Sequence, residues 1–271
     1  MTSCASNGNG SSANQPATAS PAQIVAAAYT KTTDAKTAKT VIDSQISVGG
    51  QNVPVTASGV IDFSGPSADL TEHLPQGAGN LEVRYLNGFI YEQLPPSIAQ
   101  QMGASKPWIS IDANKLAQQQ YGASLSQLQS STPGNPSDQL GYLRGASDNI
   151  TTVGKETVDG TATTHYKMTL DLDKATANQP ARAKQAVQKL EQQLGTHTLP
   201  AQVWIDAQGR VRKLTLAETM AHPPSTSGGQ SGPITINLTE TMSDFGTAVT
   251  VSAPAADQTT DITDQILNQS H

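Results

Sequence analysis

The sequence predicts an α+β protein: a single curved antiparallel β-sheet, an open half-barrel, with helices packed on its concave face. Long stretches alternate apolar and polar residues, which is the pattern of half-buried strands. Most stretches are joined by short hairpin-type turns such as Asn87-Gly88, and these turns favour antiparallel pairing. The chain shows no repeat of strand, helix and strand, so a doubly wound parallel sheet is not supported.

The folded part is expected to begin with a helix over residues 21–33. Ser20-Pro21 is a good helix start, because serine caps the first turn and proline fits its first position. Two period-two runs follow, separated by the turn-forming residues 49–52. The second run, 53–63, would be about 35 Å long at 3.3 Å per residue. A strand of that length suits a wide, curved sheet.

The remaining elements form two groups of strands separated by a mainly helical insert. The first group comprises 69–74, 81–86 and 89–93. The insert holds the strand 108–112 and helices over 96–102, 113–121, 125–128 and 137–144. The second group has strands over 150–158, 161–172, 199–205, 211–218 and 234–245, with a helix over 181–194. The total is about ten strands.

Composition indicates one folded domain, residues 21–271, behind a disordered tether over residues 1–20. Residues 5–20 carry no charge and no large apolar side chain, so they cannot offset the entropy of ordering. Hydrophobic residues make up 36% of the chain, and a chain of this length can bury a single core. With a net charge of −6 and no basic stripe, we expect no nucleic-acid partner.

Cys4 is the only cysteine in the chain and is the candidate lipidation site. It has no second cysteine with which to form an intrachain disulfide. Met1-Thr2-Ser3-Cys4 resembles the end of a bacterial lipobox, without the charged and apolar parts of a signal peptide. We therefore expect a clipped or mis-started precursor, anchored through a lipid at Cys4 to the extracytoplasmic face of the cell membrane.

No catalytic, metal or cofactor site is predicted. The five histidines lack the spacing of a zinc site; they are His73, His165, His197, His222 and His271. The segment 229–232 is not a nucleophile elbow, because Pro233 stands where the second glycine belongs. We therefore expect a protein that is not an enzyme and has no metal or cofactor.

A curved sheet covered by helices encloses either a packed core or a cavity. The longest predicted strand carries Ala57 and Gly59 on its inner face, and the chain has only two tryptophans and three phenylalanines. A dense core of aliphatic side chains is one reading, and an apolar pocket for an acyl chain is the other. The candidate residues for the inner wall are Val55, Ala57, Ile61, Val83, Met168, Leu170, Val203 and Ile236.

Several segments share turn residues, strand aromatics and a Leu-Pro strand start with a known family. They are Tyr85–Tyr91, Lys106–Asp112, Gly154–Gly160 with Thr164–Tyr166, and Leu199–Asp206 with Gly209–Arg212. In these segments the chain resembles actinobacterial cell-surface lipoproteins of the LppX/LprG type and, more distantly, the LolA/LolB lipoprotein carriers. The resemblance implies that 21–271 is a LolA-like lipid-binding domain whose apolar cavity holds lipids, lipoglycans or lipid-anchored protein. Only Cys4 matches a functional position of that family.

The leading hypothesis is a monomeric, membrane-anchored extracytoplasmic lipoprotein that binds or carries a hydrophobic ligand, a lipid or a lipoglycan. Burial of each methylene group would contribute about 0.8 kcal/mol to binding. The alternative is a non-enzymatic surface sensor or interaction lipoprotein with a filled core. An undetected hydrolase is disfavoured by the missing motifs.

Overall fold

The structure is a computed structural model that describes residues 19–65, 67–74, 79–101, 105–121, 140–145, 149–177, 181–221 and 232–269. Its strands are β1 (Thr37–Val48), β2 (Gln51–Asp62), β3 (Ser67–His73), β4 (Asn80–Leu86), β5 (Phe89–Gln93), β6 (Trp108–Asp112), β7 (Thr151–Val158), β8 (Thr161–Asp171), β9 (Thr198–Asp206), β10 (Val211–Met220), β11 (Ile234–Ser243) and β12 (Thr259–Asp261). Its α-helices are α1 (Pro21–Thr33), α2 (Pro96–Gln101), α3 (Ala113–Tyr121), α4 (Leu172–Thr176), α5 (Ala181–Leu194) and α6 (Thr263–Gln269). Leu140–Gly145 and Ala256–Gln258 are 3₁₀ helices.

All twelve described strands form one sheet in the order β12-β6-β5-β4-β3-β2-β1-β11-β10-β9-β8-β7. Each neighbouring pair is antiparallel except β12 with β6, which is parallel. The sheet does not close on itself, since β7 and β12 lie at its opposite edges. The predicted open half-barrel of α+β class is therefore confirmed, with the short β12 as an addition.

Helix α1 begins where the sequence predicts. The Ser20 hydroxyl accepts a hydrogen bond from the Gln23 backbone N–H at 3.3 Å, and the Gln23 side chain accepts one from the Ser20 N–H at 2.9 Å. This reciprocal pair is a capping box, which satisfies two backbone donors of the first turn. Val25 and Ala28 lie on the buried face of the helix.

Several elements differ from the prediction in type or length; β11, for example, ends at Ser243 and not at residue 245. The predicted strand 161–172 ends one residue earlier, because the Asp171 carboxylate caps helix α4 by accepting from the Lys174 N–H at 3.0 Å. Of the helix predicted over 137–144, the described part is the 3₁₀ helix Leu140–Gly145. The helix predicted over 125–128 lies outside the described residues.

The largest core lies between the helices and the half of the sheet formed by β8–β11. Its helical members come from α1, the first 3₁₀ helix, α4 and α5; they are Val25, Ala28, Leu140, Leu143, Leu172, Val187, Leu190 and Leu194. Its strand members include Tyr166, Met168, Leu170, Leu199, Ala201, Val203, Leu214, Leu216 and Met242. Helices therefore cover this half of the concave face.

The strand registers extend the concave face from this core across the rest of the sheet. One row of directly opposed residues runs through Val203, Leu214, Glu240, Ile42, Ala57 and Glu72. Val203 and Leu214 face the helices, so the other members of the row lie on the same face. Residues two positions along each strand share that face as well.

Gly59 is needed where β2 and β3 approach each other. A Cβ atom added at Gly59 would lie 2.0 Å from the backbone oxygen of Asp69, so a strand would have to move. We expect Gly59→Ala to lower the free energy of unfolding by about 2–3 kcal/mol, as measured by denaturant titration. Gly65→Ala is the matched control, because an added Cβ there meets nothing within 4 Å; equal losses at both positions would contradict this reading.

Candidate functional site

The concave face of β1 and β2 forms the candidate site, which we call the central trough. It consists of Ile42, Ser44, Ile46, Val55, Ala57 and Gly59. All six side chains are small or aliphatic, and five of these residues are partly exposed. In the helix-covered core, by contrast, Val203 and Leu214 are completely buried. The trough is therefore apolar surface that the protein's own side chains do not fully cover.

Burial along the strands shows which end of the trough is open. On β2, Ile61 is 0% exposed, whereas Val53 at the other end is 38% exposed. On β11, Met242 is buried and Ile234 is half-buried. Val53 and Ile234 both lie near the β1–β2 turn, at the end of the strands where Val48 pairs with Ile234. An apolar molecule would have access to the trough from this end.

The eight residues predicted for the inner wall all lie on the concave face, but in different surroundings. Met168, Leu170 and Val203 belong to the helix-covered core. Ile61 and Val83 are also buried, at 0% and 5% exposure.

The other three predicted wall residues keep partial exposure. Val55 and Ala57 lie in the central trough, and Ile236 lies beside it, directly opposite Ile46. Their role in binding stays a prediction, as does lipidation of Cys4, which lies outside the described residues.

Four glutamates that were not predicted as site residues lie on the concave face: Glu72, Glu92, Glu218 and Glu240. Their positions follow from the registers, which pair them with Ala57, Val83, Ile236 and Ile42, respectively. In the described parts of β1–β5 and β8–β11, no lysine, arginine or histidine shares this face. The period-two alternation contained the signal, because each glutamate lies two residues from an apolar residue of the inner face.

The apolar surroundings shift the ionisation of these groups. Burial raises the pKa of Glu72 and of Glu218 above the ordinary value. Burial also raises the pKa of Glu92, and the charge of Glu72 adds to this effect. Burial raises the pKa of the Tyr85 hydroxyl, to which the charges of Glu92 and Glu72 contribute further. Glu72, Glu92 and Tyr85 therefore form one electrostatically linked group on β3–β5.

Glu240 is the most deeply buried of the four. It is 0% exposed, and its Oε1 accepts a hydrogen bond from the Thr40 hydroxyl at 3.0 Å. Its Oε2 has no hydrogen-bond partner among the described residues. Burial raises the pKa of Glu240 to about 8, although the Thr40 hydrogen bond opposes the shift. The carboxyl is therefore held mainly in its neutral form at neutral pH.

On the convex face, behind the core, Glu156, His165 and Trp204 form a hydrogen-bonded cluster. The Trp204 indole N–H donates to Glu156 Oε2 at 2.7 Å, and the His165 and Trp204 rings stack with centroids 4.0 Å apart. His165 Nδ1 lies 2.9 Å from Glu156 Oε1. His165 and Trp204 lie on the outer face, and both are only 6% exposed. Their contacts with each other and with Glu156 account for both side chains structurally.

A polar cleft of about 380 Å³ lies at the start of α3 and is lined by Asp112, Asn114, Lys115, Gln118 and Gln119. Within the described ranges, no group of three or more His, Cys, Asp or Glu residues is arranged to hold a metal ion. None of the helices in that part of the chain combines the length and apolarity needed to cross a membrane.

Comparison with known sequences gives one uncharacterised relative. No family model matches the chain. A protein of Streptomyces griseus, described as an uncharacterized 31.2 kDa protein in the rplA-rplJ intergenic region, is 28% identical over 218 residues. The match covers 77% of this chain and 66% of the relative, so this chain spans just under two thirds of that protein's length.

Comparison with solved structures gives the lipoprotein LppX, LprF and a LolA superfamily protein among the matches. Lipoprotein LppX of Mycobacterium tuberculosis is 16% identical, with a TM-score of 0.48 over 84% of this chain and 98% of that chain. LprF of Mycobacterium bovis is 14% identical, with a TM-score of 0.43 over 87% and 97%. A LolA superfamily protein of Nitrosomonas europaea is 10% identical, with a TM-score of 0.27 over 84% and 93%. The similarity to LppX-type lipoproteins and LolA-like proteins that the sequence segments predict is thus found among solved structures.

Proposed function

We propose that this protein is an extracytoplasmic lipoprotein that binds or carries a hydrophobic ligand, a lipid or a lipoglycan, on the concave face of its sheet. The observation that carries the proposal is the central trough, a mainly apolar surface of which five of the six residues stay partly exposed. Each methylene group buried there would contribute about 0.8 kcal/mol. An alkyl chain of a dozen carbons could therefore bind by partition, without a charged contact.

The proposed anchor is a lipid on Cys4. Residues 5–20 would then act as a flexible tether with a reach of roughly 20–25 Å, which would hold a monomeric domain just off the outer face of the cell membrane. Mass analysis of the membrane-extracted N-terminus tests this part of the proposal. An unmodified Cys4 thiol on membrane-derived protein would overturn it.

Filling the trough should prevent binding. Ala57→Phe places a large ring on the concave face between Ile42 and Glu72, its direct neighbours in the ladders. We expect the affinity for a fluorescent fatty amine or alcohol to fall at least tenfold, because the ring occupies the volume of the alkyl chain. Fluorescence titration of the purified full chain measures the change.

Ser58→Phe is the matched control for this experiment. Ser58 is the next residue of β2 and lies on the convex face, opposite the exposed Val41 of β1. The same ring added there should leave binding unchanged. Equal affinity of the wild type and Ala57→Phe would show that the ligand binds outside the trough and would overturn the proposed site.

One observation favours the alternative, a sensor or interaction lipoprotein without cargo. Much of the concave face of β8–β11 is filled by the side chains of the helices. Native mass spectrometry of the protein and organic extraction of it distinguish the two functions. A bound amphiphile in the purified protein supports the carrier, whereas an empty protein that also ignores fluorescent amphiphiles supports the sensor.

A further inference from the structure

Acidic side chains flank the central trough on both sides. Glu240 lies on β11 next to Ile42, and Glu72 lies on β3 next to Ala57. All four residues belong to one row of the sheet, so three strand spacings, about 14 Å, separate the backbones of the two glutamates. The small Ala57 side chain leaves open the space beside Glu72. An alkyl chain on the trough would therefore lie between two carboxyl groups.

The other two concave-face glutamates extend this arrangement. Glu218 lies on β10, directly opposite Ile236, on the Glu240 side of the trough. Glu92 lies on β5, directly opposite Val83, on the Glu72 side. Both are partly exposed, so their carboxyl groups remain accessible to a bound molecule.

Positive charge is segregated to the opposite face of the same strands. Lys39 pairs with Asp244 at 2.7 Å, Arg84 pairs with Asp69 at 3.3 Å, and the ammonium of Lys213 lies 4.6 Å from the centre of the Trp204 ring. These cations are held by convex-face partners. Within the described parts of β1–β5 and β8–β11 the concave face therefore presents acceptors and negative charge to a ligand, without a compensating cation.

Glu240 gives an independent indication that a hydrogen-bonding partner is missing from this face. Its Oε2 is fully buried and has no partner in the described part of the chain. A buried polar atom without a hydrogen bond is costly and uncommon in folded proteins. Its neighbours Ile42 and Leu214 cannot supply a hydrogen bond. A polar head group at the adjoining trough surface would supply the partner that the protein lacks here.

We infer that the ligand of the central trough is an amphiphile whose head group donates hydrogen bonds and carries no negative charge, either an ammonium or a polyhydroxyl group. This inference rests on the proposed function, because it specifies the head group of the hydrophobic ligand proposed above. Carboxylates accept strong, charge-assisted hydrogen bonds from such donors. They repel the carboxylate or phosphate of an anionic lipid that enters the same site.

The test compares three amphiphiles that share one alkyl tail: dodecylamine, dodecyl maltoside and laurate. Each is titrated below its critical micelle concentration into the purified full chain near neutral pH, with calorimetric detection. We expect the amine, the maltoside or both to bind at least tenfold more tightly than laurate. Tight binding of dodecylamine would identify the donor as an ammonium group, and tight binding of dodecyl maltoside would identify it as a hydroxyl group.

Two glutamate variants locate the effect. Glu72→Gln and Glu92→Gln should each weaken binding of the preferred amphiphile about tenfold without weakening binding of laurate. Asp43→Asn removes one negative charge from the exposed convex face of β1 and should change neither affinity. Circular dichroism checks that each variant is folded. If Glu72→Gln fails to fold, the result for Glu92→Gln decides the test.

The outcomes separate the two proposals. Laurate binding as tightly as the other two amphiphiles would overturn the head-group inference while supporting an apolar site. Unchanged affinities in both glutamate variants would also overturn it. Failure of all three amphiphiles to bind would overturn the proposed function, and the head-group inference with it.

Discussion

Raising the pH from about 5 to about 9 is expected to lower the free energy of unfolding by about 4 kcal/mol through Glu240 alone. Burial raises the pKa of Glu240 from 4.5 to about 8 in the folded protein. Between these two values the unfolded chain releases a proton that the folded chain keeps, so stability falls as pH rises. Below the lower value both states are protonated, and above the higher value both are ionised, so the dependence levels off on either side.

The contacts of Glu240 explain why ionisation is so unfavourable there. The only hydrogen-bond donor to its carboxyl within the described residues is Thr40, at 3.0 Å. Its opposed neighbours Leu214 and Ile42 are aliphatic. On the same face of β11, the side chain of Leu238 is aliphatic and that of Met242 carries a thioether. None of these residues can compensate a buried negative charge.

The measurement is the unfolding free energy of the wild type and of Glu240→Gln at both pH values. Glutamine has nearly the same shape but cannot ionise, so the variant should lose this part of the pH dependence. Some slope should remain, because burial also raises the pKa values of Glu72, Glu92 and Glu218.

Asp43→Asn serves as the control, since Asp43 is exposed on the convex face. This variant should keep the full pH dependence of the wild type. The same slope in Glu240→Gln and in the wild type would show that the buried carboxyl does not titrate as described.

The glutamates of the concave face could have been predicted from the sequence. The inward positions of β11 include Ile234, Ile236 and Leu238, which the alternation identifies, and two further steps of two residues reach Glu240 and Met242. A side chain's face is set by its position along the strand and not by its polarity. Assigning polar residues to the outside by type is what concealed Glu240.

The pairing of the two halves of the sheet could not have been predicted in the same way. Turn signals predict only which strands adjacent in sequence pair with each other. The junction between β1 and β11 joins residues about 200 positions apart, such as Thr40 and Met242, and depends on the whole packed structure. The three-residue strand β12 is too short for any periodicity to be visible.

The sequence also left open whether the half-barrel is filled. The answer depends on where the helices lie, which local patterns do not determine. In the structure, α1 and α5 pack against β8–β11, and five of the six residues of the central trough on β1 and β2 remain partly exposed. A dense core and an accessible apolar surface therefore occur on different parts of the same face.

Replacing Asp206 with alanine is expected to lower the free energy of unfolding by about 3–5 kcal/mol. Its side chain is 0% exposed, and its Oδ2 accepts from the Nε atoms of Arg210 and Arg212 at 3.0 and 2.9 Å. Its Oδ1 accepts from the backbone N–H groups of Gln208 and Arg210 at 2.9 and 3.0 Å. Burial alone would raise the pKa of Asp206, but these hydrogen bonds lower it below its ordinary value, so the group is a buried carboxylate.

The loss should be large because Asp206 holds both the β9–β10 turn and two cations. Without it, Arg210 and Arg212 would retain their stacking on the Phe245 ring, with guanidinium carbons 4.6 and 4.8 Å from its centre, and Arg210 would keep a hydrogen bond to Gln208 Oε1 at 3.3 Å. Denaturant unfolding measures the change, and Asp244→Ala is the matched control. Asp244 also pairs with a cation, Lys39, at 2.7 Å, but both side chains are more than half exposed, and exposed pairs contribute little. Burial, and not the presence of an ion pair, should therefore decide the difference, and equal losses in the two variants would refute that reasoning.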